Sequence, residues 1–251
     1  MRKLSAVIFA LFLVAPTVAI AQSALPDLSI SIGGDDVGNS SGISASMKVV
    51  LLMTALSFLP AMIITATSFT RISVVLSMTR TALGTQQMPP NLVITGLSLF
   101  LTFAIMSPVF TAMYDGGVKP YMDGSMGEEE AFTKGMAPLK RFLIRHSREK
   151  DISLFLEITK SETPKDIQDI PVSVAIPAFI LSELNTAFQI GFLIALPFLI
   201  LDMVVSSVLT TMSMITLPPV VISLPLKLML FVIIDGWHLI IGSLVKTYHV
   251  E

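Results

Sequence analysis

From Pro171 to Val245 the chain is apolar almost throughout, yet it carries Glu183, Asn185, Gln189, Asp202, Lys227 and Asp235 inside that stretch. An ionisable group in a bilayer-length apolar segment costs about 2.5–3.5 kcal/mol on insertion scales unless a partner or a water path relieves it. The stretch is therefore not a passive anchor. Its polar groups either hold helices together or line a wet cavity.

Composition agrees with the membrane class. Hydrophobic residues make up 53% of the 251 residues and charged residues only 14%, against about 25% charged in soluble domains. A net charge of −2 gives no electrostatic case for nucleic acid. The absence of cysteine excludes disulfides, thiolate nucleophiles and Cys-ligated metals. No P-loop, zinc-protease helix or nucleophile elbow is present, so the chain reads as a non-enzyme with no cofactor. His146, His238 and His249 lack metal-ligand spacing and read as exposed or packing residues, and Glu128–Glu130 as a solvated face.

Residues 1–21 have the form of a secretory signal. Arg2 and Lys3 precede an apolar Ala6–Ile20 run, and Ala19-Ile20-Ala21 offers small residues for cleavage between Ala21 and Gln22. The alternative is an uncleaved first membrane helix. Residues 22–46 are rich in Ser, Gly and Asp and read as a flexible periplasmic tail.

Residues 47–110 read as a first membrane helix pair, Val49–Ala66 with a kink at Pro60, then Leu92–Val109 after Pro89-Pro90. Arg71 and Arg80 place the intervening 67–90 loop on the cytoplasmic side. Residues 111–170 then form a small periplasmic helical insertion. Phe132, Met136, Leu139 and Leu143 make one stripe of a Glu128–His146 helix, which Pro138 should bend or split. Ile152, Phe155, Leu156 and Thr159 outline a second short helix.

Residues 171–251 read as a C-terminal membrane hairpin with a Met-bearing loop. As one helix Val172–Leu209 would measure about 57 Å, nearly twice a hydrocarbon core of about 30 Å. It is either one over-long helix or two pieces meeting near Glu183–Ala187. Pro218-Pro219 forbids a smooth helix across the following turn, giving arms of roughly 188–209 and 224–245. Lys227 and Asp235 share a face two turns apart, too distant to pair, so Lys227 is expected to meet Glu183 or Asp202 from another helix or subunit. Counterparts on sister protomers are expected for the buried polar groups as a set. Met212, Met214 and Leu217 in the loop are either a flexible seal or apolar filler. Gly191, Gly236 and Gly242 allow close helix approach, and Trp237 and Tyr248 suit a membrane–water boundary.

Three segments carry a family resemblance: P-A-F-I-L-S-E-L-N-T-A-F-Q-I-G-F (Pro177–Phe192), P-L-K-L-M-L-F-V-I-I-D-G-W (Pro225–Trp237) and F-T-R-I-S-V-V-L-S-M-T-R-T-A-L-G-T-Q-Q-M-P-P-N (Phe69–Asn91). Over about residues 47–245 the chain resembles the FliP family of flagellar biosynthetic proteins. The residues read as an all-α integral membrane protein of helical hairpins with about four hydrophobic segments. The resemblance implies assembly into a helical ring, pentameric in the family, with the helices largely on the periplasmic side and the apolar runs buried against other subunits rather than lipid. It implies a subunit of the type III export gate in the inner membrane at the flagellar basal body, through which unfolded flagellar proteins pass. FliQ-like and FliR-like subunits, and FlhB-like and FlhA-like export components, are the implied partners. Met212 and Met214 match the family's channel gasket. Virulence-injectisome counterparts share the motifs but generally lack the N-terminal signal, so residues 1–46 favour the flagellar branch. A solute or ion transporter using Glu183, Asp202 and Lys227 as a relay, and an assembly scaffold without a conduit, are the other classes considered.

Overall fold

The computed structural model describes residues 45–85, 87–161, 169–213 and 217–249. The chain divides into two compact units, Met1–Lys48 and Val49–Glu251. The first lies almost wholly outside the described residues, as do the signal, the Ala21–Gln22 cleavage pair and most of the 22–46 tail. Ala45 and Ser46, read as the end of that tail, already belong to a helix.

Every regular element among the described residues is helical. Helix α1 (Ala45–Thr65) runs through Pro60 without a break. It exposes Leu52, Met53, Leu56 and Phe58. Its direction changes by 59° at Ala66–Ser68 into α2 (Phe69–Ala82).

Here the fold departs from the expected 67–90 loop. Arg71, Ile72, Val75, Leu76 and Thr79 of α2 fall on one stripe and are buried, making α2 a core helix. Two arginines in a short polar-looking stretch read as a loop only when the helical period of their apolar neighbours is overlooked.

Pro90 precedes α3 (Asn91–Met113), where proline's fixed φ suits a helix start. The stripe of α3 that packs on α2 contains Ser98 and Thr102, whose hydroxyls donate to the carbonyls of Ile94 and Ser98, both at 2.7 Å. These small side chains bond back to their own helix and let α2 approach. The opposite face shows Leu92, Phe100 and Phe103 outward.

A π-helical stretch, Tyr114–Val118, continues α3 into the short α4 (Lys119–Met122). It crosses α5 (Glu128–Arg145) where a Cβ on Gly117 would lie 2.6 Å from the Ala131 carbonyl and from Gly135 Cα. Only glycine allows that crossing. The expected α5 stripe is met in part. Leu143 is 2% exposed, but Phe132 is 70% exposed, because its small neighbour Ala131 takes the place against Gly117. Pro138 sits within α5 without splitting it. Helix α6 (Glu149–Ile158) follows as expected and lays Ile152, Phe155 and Leu156 toward the core.

Helix α7 (Val172–Thr211) is one unbroken helix of 40 residues through Pro177 and Pro197, so the two-piece alternative is not the one adopted. After the turn, α8 (Pro219–Ile233) begins at the proline pair itself, earlier than the expected start near 224, because proline is tolerated in the first turn of a helix. The second arm is not a single 224–245 helix. It breaks at Ile234–Asp235 and bends by 61° into α9 (Gly236–His249). Asp235 adopts φ +51° at the break, a left-handed value that Asp tolerates better than most residues.

Two helices, Asn91–Met122 and Val172–Thr211, are long and apolar enough to cross a membrane, and up to four segments are if each bent pair forms one span.

Candidate assembly and conduit site

Helix α7 carries the polar groups that the sequence singled out, and the fold sorts them into two separate clusters. The first centres on Glu183, which is fully buried. Arg71 of α2 grips it at two points, Nε donating to Oε2 at 2.9 Å and Nη2 to Oε1. The Tyr248 hydroxyl of α9 donates to Oε2 as well. Arg71 reaches Thr247 Oγ1 at 3.1 Å through Nη1, and its guanidinium lies 4.2 Å from the centre of the Tyr248 ring. A carboxylate removed from water thus recovers charge, hydrogen bonds and a stacked cation together.

The next residue extends this junction. Ser182 Oγ accepts the backbone N–H of Arg148 at 2.9 Å and donates to Asp151 Oδ2 at 2.5 Å. Arg148 Nε closes on the same carboxylate oxygen at 2.8 Å. Helices α2, α6, α7 and α9 therefore meet around two adjacent residues of α7. Phe142 stacks on the Tyr248 ring with centroids 6.1 Å apart and planes inclined by 17°, and His146 lies against both rings. Burial holds the His146 imidazole below its ordinary pKa, helped by the charges of Arg71 and Arg145 and opposed by its bond to the Phe142 carbonyl.

The second cluster joins the arms of the hairpin. Lys227 Nζ of α8 donates to Asp202 Oδ2 of α7 at 2.5 Å and reaches the Ala82 carbonyl, at the end of α2, at 3.5 Å. The lysine side chain is 8% exposed and the aspartate 38%. Asp202, Met203, Ser206, Ser207, Thr210 and Thr211 line an open groove, and the next residue, Met212, is a 63% exposed side chain at the turn.

Glu183 and Lys227 thus find their partners within the same chain, correcting the expectation that these lie on sister protomers. Of the two partners considered for Lys227, the fold selects Asp202. Nineteen helical positions separate Glu183 from Asp202, about 28 Å of rise, so Glu183, Asp202 and Lys227 do not form a contiguous relay. Asn185 and Gln189 bond each other at 3.3 Å across one turn. Asp235 is exposed at the break rather than on a face shared with Lys227. Leu217 is half-buried, and Met214 lies outside the described residues.

The Tyr248 hydroxyl is a buried hydrogen-bond partner of Glu183, and the Trp237 and Phe231 rings meet edge to face. A Cβ on Gly191 would meet Met78 Sδ at 2.4 Å and one on Gly236 would enter the Phe231 ring, whereas Gly242 has nothing within 4 Å. Sequence reasoning missed Arg71, Tyr248, Asp151 and Ser182. Arg71 was detectable, because it shares the helical stripe of Ile72, Val75, Leu76 and Thr79.

Helices long and apolar enough to cross a membrane, with the buried charges of α7 paired inside the chain, place the described residues in the class of all-helical membrane proteins. The model of the FliP family matches residues 52–244. The flagellar biosynthetic protein FliP of Bacillus subtilis (strain 168) is 50% identical over 206 residues, covering 82% of this chain and 93% of that one. The FliP protein of Caulobacter vibrioides is 44% identical over 234 residues, with 93% and 85% covered. That of Aquifex aeolicus is 42% identical over 228 residues, with 90% and 93% covered. The chain belongs to the FliP family. It is a subunit of the flagellar export apparatus.

Proposed function

We propose that, within this apparatus, the chain forms part of the wall of the protein-export conduit as one of several copies in a ring. The observation that carries this reading is the surface of α7. Only 11% of its most apolar window is buried within the chain, and Phe188, Phe192, Leu199, Ile200, Met203 and Val204 face outward. The charges of the same helix are already satisfied internally. What the chain lacks is cover for an apolar face, and neighbouring copies together with FliQ-like and FliR-like subunits supply it. FlhB-like and FlhA-like components complete the machine in the inner membrane, with the 111–170 insertion on the periplasmic side and unfolded flagellar proteins as cargo.

In this arrangement the groove from Asp202 to Thr211 faces water, and the turn bearing Met212, Met214 and Leu217 narrows the conduit. Unbranched methionines close around irregular cargo better than branched side chains do. The test replaces Met212 and Met214 together by Ala and follows entry of a small dye into cells alongside flagellin export. Leakage with the complex still assembled supports the gasket. Unchanged permeability in an assembled complex returns both residues to a packing role.

A further inference from the structure

Helices α2, α3, α8 and α9, with the link before α3, border an apolar cavity of about 530 Å³. Its floor is the buried side chains of Leu76, Leu83, Ile94 and Phe231, and its mouth is the exposed Met88, Val93 and Val232. A cavity of about 150 Å³ with such a lining already stays dry and admits benzene. Water finds few partners here. Thr85 and Trp237 are the only polar side chains among the described residues of the lining, and the Met88 and Pro89 carbonyls already accept from Thr85 Oγ1 at 2.6 Å and Arg80 Nη1 at 3.2 Å. The guest this lining fits is a hydrocarbon. No residue of α7 lines the cavity, so it is independent of the α7 face given to neighbouring subunits.

The surroundings narrow the choice of hydrocarbon. Val93, Leu97, Phe100 and Ala104 recur at i, i+4, i+7 and i+11, one stripe along α3. Val93 and Leu97 line the cavity, and the exposed Phe100 continues the same stripe beyond it. At the other end Arg80 Nη1 holds the Asn91 side chain at 2.6 Å, and a cation at the start of a span-length helix suits the water boundary. From Pro90 to Phe100 the chain rises about 15 Å, half of a hydrocarbon core of about 30 Å and so the depth of one leaflet. A strip of that length, closed in at the boundary and open toward the midplane, matches one extended acyl chain better than a compact ring molecule.

We propose that this cavity holds one acyl chain of a membrane phospholipid, which starts beside Pro90, passes between Val93, Leu97 and Phe231, and leaves along Phe100. Hydrocarbon entering from the bilayer gains no hydrophobic energy by the move. What it gains is close contact with fixed walls on several sides, which a chain in fluid lipid lacks. Arg80 already serves the Asn91 and Pro89 oxygens, so no headgroup charge is read. Selection acts on the chain alone.

Trp237 lines the cavity and is the single tryptophan of the sequence, so bromine carried on an acyl chain reports occupancy by quenching its fluorescence. The test adds chain-brominated phosphatidylcholine at low mole fraction to the full-length chain in maltoside micelles. Quenching saturates, and unbrominated phosphatidylcholine and phosphatidylglycerol reverse it equally. Val93→Phe, a larger side chain at an exposed position of the mouth, removes the saturable part, whereas Val220→Phe, exposed on α8 away from the lining, leaves it intact. Quenching that grows in proportion to lipid without saturating, or that survives Val93→Phe, overturns the proposal. Stronger competition by phosphatidylglycerol than by phosphatidylcholine overturns selection by the chain, and a self-associated species whose tryptophan no longer responds shows that a second copy covers the cavity instead.

Discussion

Arg71 and Glu183, 112 positions apart in the chain, meet as a two-point ion pair in the protein interior. The pair ties the second helix to the longest one, and Tyr248 ties the last helix to both. Removing one member of such a pair strands the other charge away from water, at a cost of about 3–5 kcal/mol. Arg71→Ala and Glu183→Ala are therefore expected to abolish accumulation of the folded chain. Arg71→Met combined with Glu183→Leu restores much of it, because neither variant side chain needs a partner. Thermal unfolding in detergent decides the matter: a double variant no more stable than either single one contradicts this account.

The Lys227–Asp202 pair is lopsided. The ammonium is nearly buried and the carboxylate half-exposed. Loss of Asp202 leaves a cation without its counter-charge, while loss of Lys227 leaves an anion that water still reaches. Asp202→Ala is thus expected to lower the yield of assembled export complex more than Lys227→Met does, by roughly 1–3 kcal/mol in stability of the chain. Blue-native gels of membranes carrying each variant measure the difference, and the reverse order would refute it.

Gly191 presses on Met78, with an added Cβ 2.4 Å from Sδ and 2.7 Å from Cε. The obstructing atoms belong to the flexible end of a side chain. Gly191→Ala should cost about 1–3 kcal/mol through overpacking, and Gly191→Leu considerably more. Adding Met78→Ala to Gly191→Ala should recover part of the loss. If it does not, the close approach of α2 and α7 is not what glycine provides.

His146 makes stability depend on pH. Its folded pKa lies below the ordinary 6.5, mainly through burial. Between the folded value and 6.5 the unfolded chain binds a proton that the folded chain refuses. The neutral imidazole's contribution is thus fully present above about pH 6.5 and declines as pH falls toward the folded value. The unfolding midpoint should decrease as pH falls below about 6.5, and His146→Gln should flatten that slope. A slope unchanged in the variant would assign it to other groups.

Much of the architecture was readable in the residues. The charge order and apolar spacing of 128–158 marked α5 and α6, and the proline pair at 218–219 marked a break before the second arm, though that arm was expected from about 224 rather than from Pro219. The polar residues of α7 were also visible as anomalies in an apolar run. Their partners were not. Arg71 read as a topology signal, because a pairing across 112 positions leaves no trace in local periodicity. Tyr248 read as a boundary residue for the same reason. The break between α8 and α9 did carry a local mark, the Asp235-Gly236 dipeptide, a common turn former. It was outweighed by the apolar residues on either side, and Asp235 was weighed as a charge rather than as a backbone device.

Pro197 falls between the two places where α7 is fastened, Glu183 and Asp202. Proline supplies no N–H, so the backbone ladder lacks a rung there. A rod pinned at both ends and weakened in between yields at the weak point. If the proposed conduit runs past the Met212 turn, widening there would swing the far segment of α7 together with α8, while the clamp around Glu183 keeps its shape.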